Sequence, residues 1–184
     1  MDRRSGRDPE FEAFVAGAAG RLLHVAVLLT AEPLSGAPAG AYGGAPDATP
    51  GGAPGATPSG APAGAPAAAP TAAPAAAPAA RRILAGALAR TYAHWERLRG
   101  DDPYDHTRQE LCAAYARTAR RLPPGTGVLA RLGPLERLVL VMRVYEGVAE
   151  EVTAAQLGLT PERVEAICNR AVATMRAPAP GAAA

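Results

Sequence analysis

The sequence predicts an all-α protein with two small helical domains, a helix-turn-helix in its C-terminal third and an Ala/Pro/Gly-rich insert. Three observations carry that expectation. Apolar residues recur at helical spacing over five long stretches. Proline stands at the opening of several of those stretches and glycine at their ends. Of the 48 residues from 33 to 80, 40 are Ala, Pro or Gly, with one charge (Asp47) and one aromatic (Tyr42). A tract of that composition buries too little apolar surface to offset its ordering entropy, so residues 33–80 are expected to be disordered.

Residues 9–30 read as the first helix, with Pro9 in its first turn. Phe11, Phe14, Val15, Ala18, Leu22, Val25, Ala26 and Leu29 form its apolar stripe. The second helix is expected from about Arg81 to Leu98, turning Leu84, Ala87, Leu88, Thr91, Trp95 and Leu98 inward, with Trp95 anchoring the front core. Asp102-Pro103 supplies a cap and first-turn proline for a third helix. Its expected inward residues are Tyr104, Leu111, Cys112, Tyr115, Ala119 and Leu122, and its outward residues include Arg108, Arg117, Arg120 and Arg121.

Pro123-Pro124-Gly125 interrupts the pattern, so residues 123–133 are expected to link two domains, 8–122 and 134–176, with a disordered tail at 177–184. Past the link, Pro134 opens a helix with the stripe Leu135, Leu138, Val141, Met142 and Tyr145, stopped by Gly147. A short helix follows from about Ala149 to Leu157 and ends at Gly158. Thr160-Pro161 then opens a longer one to about Arg176, whose expected buried side is Val164, Cys168, Ala171, Val172 and Met175. A short helix, a glycine turn and a longer helix make the helix-turn-helix pattern, in which the second helix enters the DNA major groove.

Charge and composition narrow the function. All 19 basic residues are arginine and the net charge is only +2. Residues 81–121 hold nine Arg against five acids, while residues 122–176 hold six of each, so a basic face is expected in the middle of the chain. No nucleophile, paired carboxylate or phosphate-cradling glycine loop stands out, so neither an enzyme nor a cofactor is expected. His24, His94 and His106 have no ligand-type spacing, and no metal site is expected. The apolar run from Leu22 to Leu29 is too short to span a bilayer, and no secretory signal is read at the start. Cys112 and Cys168 lie inside helical patterns and read as reduced thiols of a cytoplasmic protein.

The segment PLERLVLVMRVYEGVAEEVTAAQLGLTPERVEAICNRAVATMR resembles the promoter −35-binding domain of extracytoplasmic-function sigma factors. The matching positions are Tyr145, Glu146, Thr153, Ala154, Leu157, Gly158, Val164, Arg170, Ala171 and Arg176. FEAFVAGAAGRLLHVAVLLT and ALARTYAHWERLRGDDPYDHTRQEL are similar to the −10-binding domain of the actinobacterial sigma-E-like subgroup. The resemblance implies a region 2-like front domain, a region 4-like C-terminal domain, and core RNA polymerase and promoter DNA as partners. An anti-sigma factor is a further partner that the family allows; no membrane or small-molecule substrate is implied.

On the resemblance, DNA contacts fall to Arg163, Glu165, Ala166, Asn169 and Arg170, with Arg117, Arg120 and Arg121 in the front domain. Polymerase contacts fall to Arg82, Ile83, Leu84 and Leu88. The sequence departs from the family at three places. The acidic, Gln-containing start of the second helix is replaced by Arg81–Gly86, the insert splits the front domain, and Glu165 and Ile167 stand where the family usually has basic residues. These departures keep a second expectation open: a sigma-derived regulatory or interaction module that no longer initiates transcription.

Overall fold

The computed structural model describes residues 4–33, 77–98 and 100–178, with side chains from residue 8 onward. Residues 34–76 and 179–184 lie outside the described residues, and with them nearly all of the expected disordered insert and most of the expected tail. Every regular element among the described residues is helical. In order these are α1 (Arg4–Thr30), α2 (Pro78–His94), α3 (Pro103–Thr118), α4 (Pro134–Leu140), α5 (Glu150–Leu157) and α6 (Pro161–Arg176).

Helix α1 begins at Arg4, so Pro9 lies inside it instead of opening it. By length and composition the stretch Asp8–Thr30 could cross a membrane, with a mean hydropathy of 1.7. The apolar reading confined to Leu22–Leu29 therefore missed the apolar character of the residues before it. Within the protein the C-terminal half of α1 is core: Leu22, Val25, Ala26 and Leu29 are fully buried. Phe11 and Phe14 extend its packing toward Trp95, with ring centroids 5.1 and 5.4 Å away. Trp95 is half-buried in this aromatic group, in a short 3-10 turn that follows α2.

Helix α2 starts three residues earlier than expected, at Pro78, because its N-terminus is capped from a distance. The Glu32 carboxylate accepts from Ala79 N–H at 3.1 Å and Ala80 N–H at 2.8 Å. Those two donors have no intrahelical acceptor, and an anion at a helix N-terminus satisfies them and complements the macrodipole. Ala79 and Ala80 are buried there, so the last residues of the low-complexity tract are helical core. Helix α3 starts as expected: the Asp102 side chain caps it, accepting from Tyr104 N–H at 2.8 Å.

Buried residues of α1, α2, α3 and α4 form one cluster, in which Leu111, Tyr115, Leu138 and Met142 lie at 3 % exposure or less. Leu129 and Leu132, between α3 and α4, are buried in the same cluster. The chain turns there on a tight approach: Gly127 N–H donates to Ala31 C=O at 2.7 Å. A Cβ at Gly127 would sit 2.5 Å from the Glu32 carbonyl oxygen. Helix α4 runs on as one π turn, Val141–Tyr145, closed by Glu146 N–H donating to Val141 C=O. The expected stripe is only partly buried. Val139 is buried while Leu135 and Tyr145 are 44 % and 41 % exposed.

Candidate nucleic-acid interface

Helices α5 and α6 are set by local signals. Gly158 adopts φ +65°, ψ +36°, a left-handed conformation that glycine takes without Cβ strain, and it ends α5. Leu159 N–H then donates to Ala154 C=O at 3.0 Å. Thr160 caps α6, its hydroxyl accepting from Arg163 N–H at 3.3 Å, and Pro161 takes the first helical position. Val139, Ala154, Val164 and Ile167 form a small core beneath the pair. Ile167 was read as a lost basic contact; at 2 % exposure it belongs to that core. Cys168, Val172 and Met175, expected to be buried, are half-buried.

The opposite side of α6 is open. Arg163, Glu165, Ala166, Asn169 and Arg170 are all exposed. Arg163 has no ion-pair partner among the described residues, whereas Arg170 Nε lies 3.7 Å from the Glu136 carboxylate. Glu162, in the first turn, has its pKa held low by its own backbone N–H and the Thr160 hydroxyl. Its carboxylate is thus drawn back onto the helix start. The face offers cationic flanks at Arg163 and Arg170, an amide at Asn169 and an acceptor at Glu165. Arg and Asn pair bidentately with guanine and adenine edges, and Glu accepts from a cytosine amino group.

Elsewhere the sequence-predicted residues fare unevenly. Arg117, Arg120 and Arg121 are exposed at the end of α3 and in the turn after it. Of the expected polymerase set, Arg82 is exposed, Leu88 half-buried, and Ile83 and Leu84 are core residues at 6 % and 7 %. His94 and His106 come together across α2 and α3 with ring centroids 5.9 Å apart. No group of three or more metal-ligating side chains occurs among the described residues.

Arg108 is the largest correction. Expected outward, it is 7 % exposed, 2.9 Å from Asp105 and 3.6 Å from Glu146. The Glu146 side chain is fully buried, and its carboxylate also accepts from Tyr104 O–H at 3.0 Å and Arg21 Nε at 3.1 Å. Burial, then the adjacent Glu146 charge, pushes the Tyr104 hydroxyl well above the usual phenol range. In the sequence Glu146 stands out only as a motif position. Its partners lie 38 to 125 residues away, beyond any local signal.

Residues 128–177 match the family model for sigma-70, region 4. No curated protein and no solved structure gives a significant match. The matched span begins in the connector before α4 and covers the buried core, the glycine turn and the exposed face of α6. Residues 128–177 are thus similar to sigma-70, region 4, over the stretch that holds the connector, α4, α5 and α6.

Proposed function

We propose that the chain is a cytoplasmic, non-enzymatic, sigma-factor-like transcription protein that binds promoter DNA through α6 and works with core RNA polymerase. Within the sigma-70 family we place it as a divergent extracytoplasmic-function member of sigma-E-like type, residues 8–122 acting as region 2 and 134–176 as region 4. The observation that carries this reading is the open face of α6, with Arg163, Asn169 and Arg170 presented by a capped helix in a region 4 match. Arg117, Arg120 and Arg121 supply further phosphate contacts, and Arg82 with Leu88 is the accessible part of the polymerase-binding set.

A titration of duplex DNA with the full chain at two salt concentrations tests this. Arg163→Ala is expected to weaken binding several-fold, within the ~1–3 kcal/mol of a good bidentate base contact. Arg170→Ala is expected to cost less, because Glu136 already holds that side chain. Glu165→Lys is expected to strengthen binding and steepen its salt dependence by about one phosphate neutralised. Undetectable binding at low salt would sink the reading.

A second reading is favoured by the burial of Ile83 and Leu84, which leaves little of the expected polymerase contact accessible. In it the chain is a sigma-derived regulatory or interaction module. Run-off transcription with core polymerase separates the two: a promoter-specific transcript supports initiation, and DNA binding without a transcript supports the module.

A further inference from the structure

One end of the α2–α3 hairpin carries two imidazoles that the DNA-binding reading leaves unused. His94 is the last residue of α2 and His106 lies in the first turn of α3; their ring centroids are 5.9 Å apart and the planes are tilted by 57°. His94 Nδ1 lies 2.8 Å from Arg90 C=O. A carbonyl oxygen only accepts, so Nδ1 carries the proton of the neutral ring and Nε2 keeps its lone pair. On the other ring, His106 Nε2 is buried without a hydrogen-bond partner.

An imidazole whose Nδ1–H is held by a backbone carbonyl is fixed in the tautomer and orientation that give Nε2 to a metal. A buried nitrogen without a partner carries a desolvation cost that a metal–ligand bond removes. A metal about 2.0–2.1 Å from one nitrogen of each ring places the two ring centres about 5–6 Å apart, and the observed 5.9 Å falls in that range. Imidazole nitrogen suits copper, zinc and nickel, and affinity among the divalent ions of that row peaks at copper. No group of three or more ligating side chains forms among the described residues, so water completes the shell. A cavity of about 160 Å³ at this end of the hairpin, lined by Glu10, Trp95, Leu98 and Pro103, gives that water room. Leu98 stands four residues after His94, and Pro103 three before His106. One turn further along, Arg90 is neutralised by Glu110 at 2.5 Å and leaves no net charge to repel a cation.

We propose that His94 and His106 form a two-nitrogen site for a divalent transition-metal ion of the copper and zinc kind. The ion clips the end of α2 to the start of α3 across the turn that holds Asp102, the α3 cap. Magnesium and calcium are poor occupants, because they take oxygen ligands. The site lies outside residues 128–177 and holds whether or not the chain binds DNA.

The test adds Cu²⁺, Zn²⁺ or Mg²⁺ to the metal-free full chain, with Cys112→Ala and Cys168→Ala to remove both thiols. Binding is read from the melting temperature and, for Cu²⁺, from the nitrogen couplings in the electron paramagnetic resonance spectrum. Cu²⁺ is expected to bind at one equivalent per chain with couplings from two imidazole nitrogens. It should raise the melting temperature with concentration, as an ion that binds only the folded state does. Zn²⁺ is expected to act more weakly and Mg²⁺ not at all. His94→Gln and His106→Gln are each expected to weaken Cu²⁺ binding at least about tenfold, the smaller loss seen on removing even a group that only supports a ligand. His24→Gln, whose ring stacks on Tyr145 instead, is expected to bind as the parent does. Helicity without metal checks the folding of each variant, and the half-buried His94 carries the test if His106→Gln unfolds the hairpin. Absence of Cu²⁺ binding by the parent, or unchanged affinity in His94→Gln, overturns the proposal.

Discussion

The segment that matches region 4 and the front helices are built from the same residue types but are held in shape by different ranges of interaction. Between α5 and α6 the boundaries come from residues within three positions of them: Gly158 in the left-handed conformation, Thr160 capping, Pro161 opening. In the front, the start of α2 is fixed by Glu32 from 47 residues away, and the inner side of α3 by Glu146. A helix whose ends are written locally keeps its face wherever it is placed. A helix whose cap arrives from elsewhere has its boundary and its burial decided by the tertiary fold.

If that contrast is right, the shared core should couple the two regions, and its loss should have the largest effect. Met142 is fully buried in the cluster that runs from α1 to α4. Met142→Ala is expected to cost about 2–5 kcal/mol, as large-to-small core changes do. Helicity followed in urea should show one transition at lower midpoint. Two separated transitions would show instead that the region 4 segment folds without the front.

The next effect is steric. Gly127 packs on the Ala31–Glu32 backbone so closely that Gly127→Ala places its Cβ 2.5 Å from a carbonyl oxygen. Backbone cannot rotate away as a side chain can, so a loss of about 1–3 kcal/mol is expected. The same substitution at Gly86, where the nearest atom is 3.7 Å away and belongs to the flexible Arg90 side chain, is expected to be neutral or slightly favourable. Thermal melts of the two variants make the comparison directly.

The same contrast marks what the sequence could and could not reveal. Helix type and order, the Asp102 and Thr160 caps, the Gly158 turn and the exposed residues of α6 are each readable within one helical turn of sequence. Arg108 was misplaced because the outward side of a helix was inferred from charge. Its partner Glu146 lies 38 residues on, in a segment that resembled a self-contained domain. Ile167 was misread for the opposite reason: the family pattern suggested a lost contact where its apolar character marked core. The stripe of α4 failed at Val139 because that residue serves a second core, with Ala154, Val164 and Ile167, and at Tyr145 because a π turn departs from the 3.6-residue period on which the stripe was counted.

The smallest expected effect is the most specific to the distant cap. Glu32 is half-buried and accepts from Ala79 N–H, Ala80 N–H and the Thr30 hydroxyl at 3.1 Å. Glu32→Ala removes an N-cap acceptor, which costs about 0.5–2 kcal/mol in helices capped by their own neighbours. Glu32→Gln keeps one acceptor oxygen and is expected to lose only the part due to charge at the helix N-terminus, about 0.3–1 kcal/mol. The decisive readout is amide hydrogen exchange at Arg81–Leu84, whose protection should fall in both variants while that of α6 is unchanged. The donors of the first α2 turn lose their acceptor, whereas among the described residues the hydrogen bonds of Glu32 run to Thr30, Ala79 and Ala80 and not to α6. If protection in α2 is unaltered, its start is set by Pro78 and the burial of Ala79 and Ala80, and the cap from 47 residues away is a consequence of the fold instead of one of its causes.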